Sequence, residues 1–153
     1  MSELDKLSFL LGRWRGRSVD QFGEKGVLES TSEVTRELGD HFIQIKGETR
    51  KDNVTINSAL YFIIYDLKIK KYVHKRMWSY GFIENGEGLW EDQNTLVFQI
   101  TKFDNEPRWF EGMLWKSFIR RYGDNEVGFG LYAAKKGEEY KLYGESRASR
   151  VNR

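Results

Sequence analysis

Leu4, Leu7 and Leu11 lie at i, i+3 and i+7, so the segment Leu4–Leu11 predicts a short helix with one apolar face. Ser2, with Asp5 three residues on, supplies a weak capping box, and Gly12 ends the helix. A helix of about two turns cannot bury that face alone, so it should cap something. From Gly12 the period falls to two. Arg13, Arg15 and Arg17 alternate with Trp14, Gly16 and Ser18, which places the arginines outside and Trp14 inside a strand. Further strands are expected near 26–36, 40–49, 55–66, 70–79, 81–90, 94–103, 108–121, 126–135 and 138–150. Turn signals such as Gly39-Asp40, Lys51-Asp52-Asn53 and Gly123-Asp124-Asn125 separate them.

That makes about ten strands and one helix, with connections short enough to require antiparallel neighbours. The order is a plain meander without the long return connection of a Greek key, and one helix is at hand to plug an end. The expected fold is all-β: a closed up-and-down antiparallel β-barrel of about ten strands with a short N-terminal plug helix, one domain over residues 1–153.

Strand parity predicts what lines the interior. His41, Ile43 and Ile45 face in on 40–49, as do Leu96, Phe98 and Ile100 on 94–103. Val127, Phe129, Leu131 and Ala133 do so on 126–135. On 70–79 one face carries Tyr72, His74, Arg76 and Trp78, followed by Tyr80, and the other Val73, Lys75 and Met77. Large amphipathic side chains with a few polar tips suit a ligand cavity. The competing arrangement solvates that face and puts Val73 and Met77 in the core. On 55–66, Tyr61, Ile63 and Tyr65 compete with Leu60, Phe62 and Ile64. On 108–121, Phe110, Leu114 and Phe118 compete with Trp109, Met113 and Trp115, and a strand apolar on both faces could meet a second copy in a homodimer.

Composition narrows the chemistry. Five Trp, eight Tyr and ten Phe favour strands, and fifteen Gly against one Pro suit strongly bent ones. The absence of cysteine excludes disulfides, thiolate zinc sites and Cys nucleophiles. A net charge of +2, with Arg147, Arg150 and Arg153 as the one basic excess, gives no nucleic-acid footprint. No apolar run approaches the roughly 20 residues of a membrane helix, and the first residues lack the pattern of a signal peptide, so a cytoplasmic location is expected.

No serine-hydrolase elbow, phosphate loop, dinucleotide fingerprint or metalloprotease helix is present, and no catalytic residue is assigned. Gly86-Glu87-Gly88 and Gly128-Phe129-Gly130 read as turn or bulge glycines, and Glu111 and Glu145 as solvated carboxylates. His41 and His74 are the only histidines; either could ligate iron or move a proton, or simply be a hydrogen-bonded barrel histidine. Two histidines without cysteine do not make a zinc site. In a closed barrel the last strand returns to the first, bringing Arg147 or Arg150 over Trp14. That contact, worth roughly 0.5–2 kcal/mol as a cation–π pair, is structural.

The run Leu7-Ser8-Phe9-Leu10-Leu11-Gly12-Arg13-Trp14-Arg15-Gly16 resembles the N-terminal signature of nitrobindin-like barrels, within the calycins that include lipocalins and fatty-acid-binding proteins. Tyr65-Asp66, Lys71-Tyr72-Val73 and Trp78 are similar to a related group of bacterial lipocalin-like domains, and Arg150 fits the calycin arginine that packs on the Gly-x-Trp tryptophan. The resemblance implies a barrel holding an apolar ligand, and for nitrobindins ferric haem held by a histidine on a strand near the C terminus. Residues 138–153 contain no histidine, so haem would need Tyr140, Tyr143, His41 or His74.

The function expected from the sequence is binding of a small hydrophobic molecule, with His41, Tyr61, Tyr65, Tyr72, His74, Arg76, Trp78, Phe98 and Phe129 around it. Arg76 is the group for a ligand carboxylate. Haem binding is one alternative, and an enzyme acting on an apolar substrate in a dry barrel is another. No metal, nucleic acid or membrane insertion is expected.

Overall fold

The structure is a computed structural model and describes residues 2–151; Arg153 lies outside them. Ten strands follow in order: β1 Gly12–Val19, β2 Val27–Glu37, β3 Phe42–Lys51, β4 Val54–Asp66, β5 Lys71–Trp78, β6 Ile83–Asp92, β7 Thr95–Asp104, β8 Met113–Gly123, β9 Glu126–Lys135 and β10 Lys141–Arg150. Each pairs antiparallel with the next, and β10 closes on β1 to complete the barrel. The β3–β4 connection shows why the loops can be this short. Asp52 and Asn53 both take positive φ, the conformation that a two-residue hairpin turn requires.

The N-terminal segment Leu4–Leu10 is a 3₁₀ helix, not an α-helix. Ser2 and Asp5 bond reciprocally at its start, the Ser2 N–H to Asp5 Oδ2 and the Asp5 N–H to Ser2 Oγ. Three residues per turn eclipse Leu4, Leu7 and Leu10, so Leu10 takes the buried place expected of Leu11, which is only half-buried. These leucines enter one end of the barrel and pack on Trp14, Ile43, Ile63, Tyr72, Leu96 and Phe98.

Trp14 and Arg150 lock that end. The Trp14 Nε1–H donates to the Leu10 carbonyl at 2.7 Å. The Arg150 guanidinium lies 4.4 Å from the indole centroid and donates to the carbonyls of Leu11 and Phe9. A Cβ at Gly12 would stand 2.8 Å from Arg150 Nη1, and Gly12 has φ +121°, so this position needs glycine twice over. Arg147 is not part of the lock. It lies on the outer face, 3.8 Å from the Tyr122 ring centroid and 2.6 Å from Glu126.

Several inferred placements change. His41 is exposed in the turn before β3, because the chain turns through Asp40 (φ +65°) and the strand begins only at Phe42. Strand parity does not reach it. The stretch 108–121 is broken: Arg108–Phe110 is a 3₁₀ turn and β8 starts at Met113. Trp115, Ser117 and Ile119 are buried, whereas Leu114 is exposed and Phe118 is buried against Gly130 and Tyr132. Gly86, Gly88, Gly128 and Gly130 are not turn residues. They lie within β6 and β9, each at a place where a large neighbouring side chain occupies the space of a Cβ, as Phe98 does over Gly88. A register shift between Asn85 and Gly86 does make Gly86 a bulge neighbour.

Candidate functional site

The two halves of the interior differ. Towards the helix the barrel is packed solid. Towards the other end it holds a cavity of about 290 Å³, at the lower end of the range for small-molecule sites. Its walls are mostly rings: Tyr61, Trp78, Tyr80, Phe82, Phe110, Trp115, Phe129 and Tyr143, joined by Ile45, Leu28 and Leu131. The turn Arg108–Phe110 brings Phe110 onto Phe82, Phe103 and Trp115. Opposite it, Phe22 packs edge-on to Tyr143. A larger depression of about 700 Å³ lies on the outer face of β1–β5, among Arg13, Arg15, Glu33, Lys46 and Glu48. Its charges are mixed and solvated, so the interior cavity, walled mostly by rings, is the better candidate.

Arg76 is the cationic side chain of the cavity wall, which Glu24, Glu48 and Asn57 also border. Its guanidinium lies 4.3 Å from the Tyr61 ring centroid and 5.2 Å from that of Trp78. The nearest carboxylate, Glu84, is 3.8 Å away, and the Tyr61 hydroxyl is the guanidinium's other polar neighbour. Beneath this layer lies a buried polar cluster. His74 is fully buried; its Nδ1 is 3.1 Å from Tyr61 Oη and its Nε2 is 3.0 Å from Glu84 Oε2. The second contact is short but out of line, so both atoms lack a hydrogen-bond partner, as does the buried Ser117 Oγ.

The electrostatics follow from burial and pairing. Burial drives the His74 imidazole below its ordinary pKa, against the pull of Glu84. Burial pushes the Glu84 carboxyl up, but Arg76 and His74 outweigh it and hold the group below the usual carboxylate range. Burial raises the Tyr61 phenol to about 12. At neutral pH the cluster is therefore Arg76⁺, Glu84⁻, neutral His74 and neutral Tyr61.

Both depressed pKa values act in one direction. The unfolded chain binds a proton at His74 below about pH 6.5 and at Glu84 below about 4.5, where the folded chain resists it. Stability from this cluster should be complete above about pH 7. It should fall as pH drops through 6.5, and fall further through 4.5. Urea denaturation midpoints at stepped pH test this; a profile flat from pH 7.5 down to 5 would overturn it.

The residues inferred from sequence are thus divided. Tyr61, Arg76, Trp78 and Phe129 line the cavity. His74 lies one layer down, touching the cavity wall through Tyr61. Tyr72 and Phe98 belong to the packed half, with Tyr65 partly buried against them. Tyr72 donates to the Glu3 carbonyl and so ties the helix to β5. His41 is outside. Glu84 and Ser117 went unnoticed in the sequence. A signal for Glu84 exists: the turn after Trp78 pairs Arg76 with Glu84, His74 with Gly86 and Tyr72 with Gly88. Large polar residues on β5 thus face an acid and two glycines that make room for them.

A histidine-ligated haem does not fit this interior. His41 is exposed, and both ring nitrogens of His74 face protein groups, Tyr61 and Glu84. Of the two tyrosines, Tyr143 reaches the cavity, whereas Tyr140 bonds Gln99 on the outer surface.

A closed meander of ten antiparallel strands with a helix in one end is an up-and-down β-barrel, the architecture that lipocalins share. No protein-family model matches the chain, and no curated protein does. Among solved structures it is similar to Rv2717c from M. tuberculosis, with a TM-score of 0.68 and 15% identity over 99% of both chains. It is also similar to the S-type phycobiliprotein lyase CPES from Guillardia theta, with a TM-score of 0.63 and 13% identity over 100% of this chain and 94% of that one. At such identities the likeness establishes the fold. No helix among the described residues is long and apolar enough to cross a membrane.

Proposed function

We propose that the barrel binds a small hydrophobic molecule bearing an acid group, with the apolar part among the cavity rings and the acid on Arg76. The observation that carries this is Arg76 itself: a guanidinium at the wall of an aromatic cavity whose one carboxylate partner, Glu84, stands off at 3.8 Å. Apolar burial supplies roughly 25 cal/mol per Å², and a charge-assisted bond to Arg76 adds selectivity for acids. The similarity to a phycobiliprotein lyase, a barrel of the same fold, is compatible with handling an organic ligand. The buried cluster would also serve proton transfer in an enzyme. Binding is preferred because His74 and Glu84 reach the cavity only through Tyr61 and Arg76.

Octanoate and octan-1-ol test the reading by calorimetry. Octanoate should bind the unmodified protein more tightly than the alcohol. In the double variant Arg76→Gln/Glu84→Gln, which removes the charged pair together, octanoate should lose about tenfold or more, from a bond worth roughly 1.5–3 kcal/mol. The alcohol should change little. Equal affinity of the unmodified protein for the two probes would sink the acid assignment.

A further inference from the structure

We propose that an acid bound at Arg76 draws one proton onto His74, so that the barrel takes up its ligand and a proton together. This rests on the reading of the cavity as an acid-binding site. In the free protein the buried charges cancel, Arg76⁺ against Glu84⁻ at 3.8 Å. A ligand carboxylate on Arg76 brings a second negative charge into the same enclosed space, where an unbalanced charge is costly. His74, fully buried and 3.0 Å from Glu84, is the neutral group positioned to restore the balance.

The hydrogen bonding supports the same step. Three buried atoms, His74 Nε2, Glu84 Oε2 and Ser117 Oγ, lack partners in the free protein. With the Tyr61 O–H donating to Nδ1, 3.1 Å away, the one proton of the neutral ring sits on Nε2. The proton from solvent therefore adds at Nδ1. Nδ1–H then bonds the Tyr61 oxygen, and the charged ring turns its Nε2–H into line with the Glu84 carboxylate, 3.0 Å away. The released Tyr61 O–H turns to Ser117, which adjoins it. The added proton thus gives Ser117 a partner and strengthens the pull that brings His74 and Glu84 into line. The titratable and charged groups facing His74 are Tyr61 on β4, Arg76 on β5 and Glu84 on β6. Phe98 on β7, which packs on its ring, does not titrate.

Calorimetry of octanoate near pH 6.5, in buffers of different ionisation enthalpy, counts the protons. Uptake should approach one per octanoate and be absent for octan-1-ol. Octanoate affinity should fall by up to about tenfold per pH unit as pH rises through this window. Imidazole nitrogen NMR should show His74 moving to its charged form on octanoate binding, with exposed His41 unchanged as an internal reference. In His74→Gln the uptake and the pH dependence should both vanish, and the measurements on the unmodified protein stand whether or not this variant folds. Tight octanoate binding with no proton uptake, or with His74 remaining neutral, would overturn the coupling and leave the acid site intact. Failure of octanoate to bind, or binding no tighter than the alcohol, would overturn the acid site and the coupling with it.

Discussion

Trp14→Ala should destabilise the barrel by about 3–5 kcal/mol, as a shift in urea midpoint without a change in slope. The indole is 1% exposed, so its loss leaves a cavity that the surrounding leucines of the helix cannot fill by moving, since Arg150 holds the carbonyls of Phe9 and Leu11. The bond from Nε1–H to the Leu10 carbonyl goes as well, leaving a buried acceptor. Arg150→Ala should cost less alone. The two should be coupled by about 1 kcal/mol in a double-mutant cycle, because each holds the same turn and they stack on each other. Strict additivity would show that the stacking carries no energy.

This lock was the most legible part of the chain. Gly12-Arg13-Trp14 marks the change from a three-residue to a two-residue period, and closure of a meander requires the last strand to meet the first. Parity also put Tyr72, His74 and Arg76 on one face of their strand, but left open whether that face or Val73 and Met77 pointed in. It was silent wherever two faces were equally apolar, as on 55–66, until the packing of Tyr61 and Ile63 against the helix end decided it. It misled at His41, because alternation says nothing about where a strand begins. Between Arg147 and Arg150 only register decides, and Trp14 stands opposite Arg150. Glu84 was hidden for a different reason. Its inward neighbours along β6 are Gly86 and Gly88, so the buried face of that strand carries no hydrophobic signal, and a buried acid looks like a solvated one until its partners are known.

Glu84→Gln should destabilise the protein by about 3–5 kcal/mol at pH 7 although the side chain keeps its size. Glu84 is 4% exposed and is the anion closest to Arg76. Without it the guanidinium is a buried charge with no counterion, held between two rings. Arg76→Gln should cost a similar amount from the other side. The double variant should be more stable than either single one, because the desolvation of two charges is removed together with their attraction. Chemical denaturation of the three proteins checks this. A double variant as destabilised as the sum of the two would show that the two charges are not coupled.

The seam that Trp14 and Arg150 guard also governs how the chain can fold. Nine of the ten ladders join strands adjacent in sequence, so each can form as a local hairpin. The tenth, Trp14–Arg17 against Arg147–Arg150, spans nearly the whole chain. Its closure carries the largest loop entropy of any pairing and must come last. Until then β1 and β10 are open edges, and the growing chain on a ribosome presents β1 unpaired on one side throughout. The exposed row of Arg13, Arg15 and Arg17 along β1 is well suited to that interval, since like charges repel a second copy of the same edge.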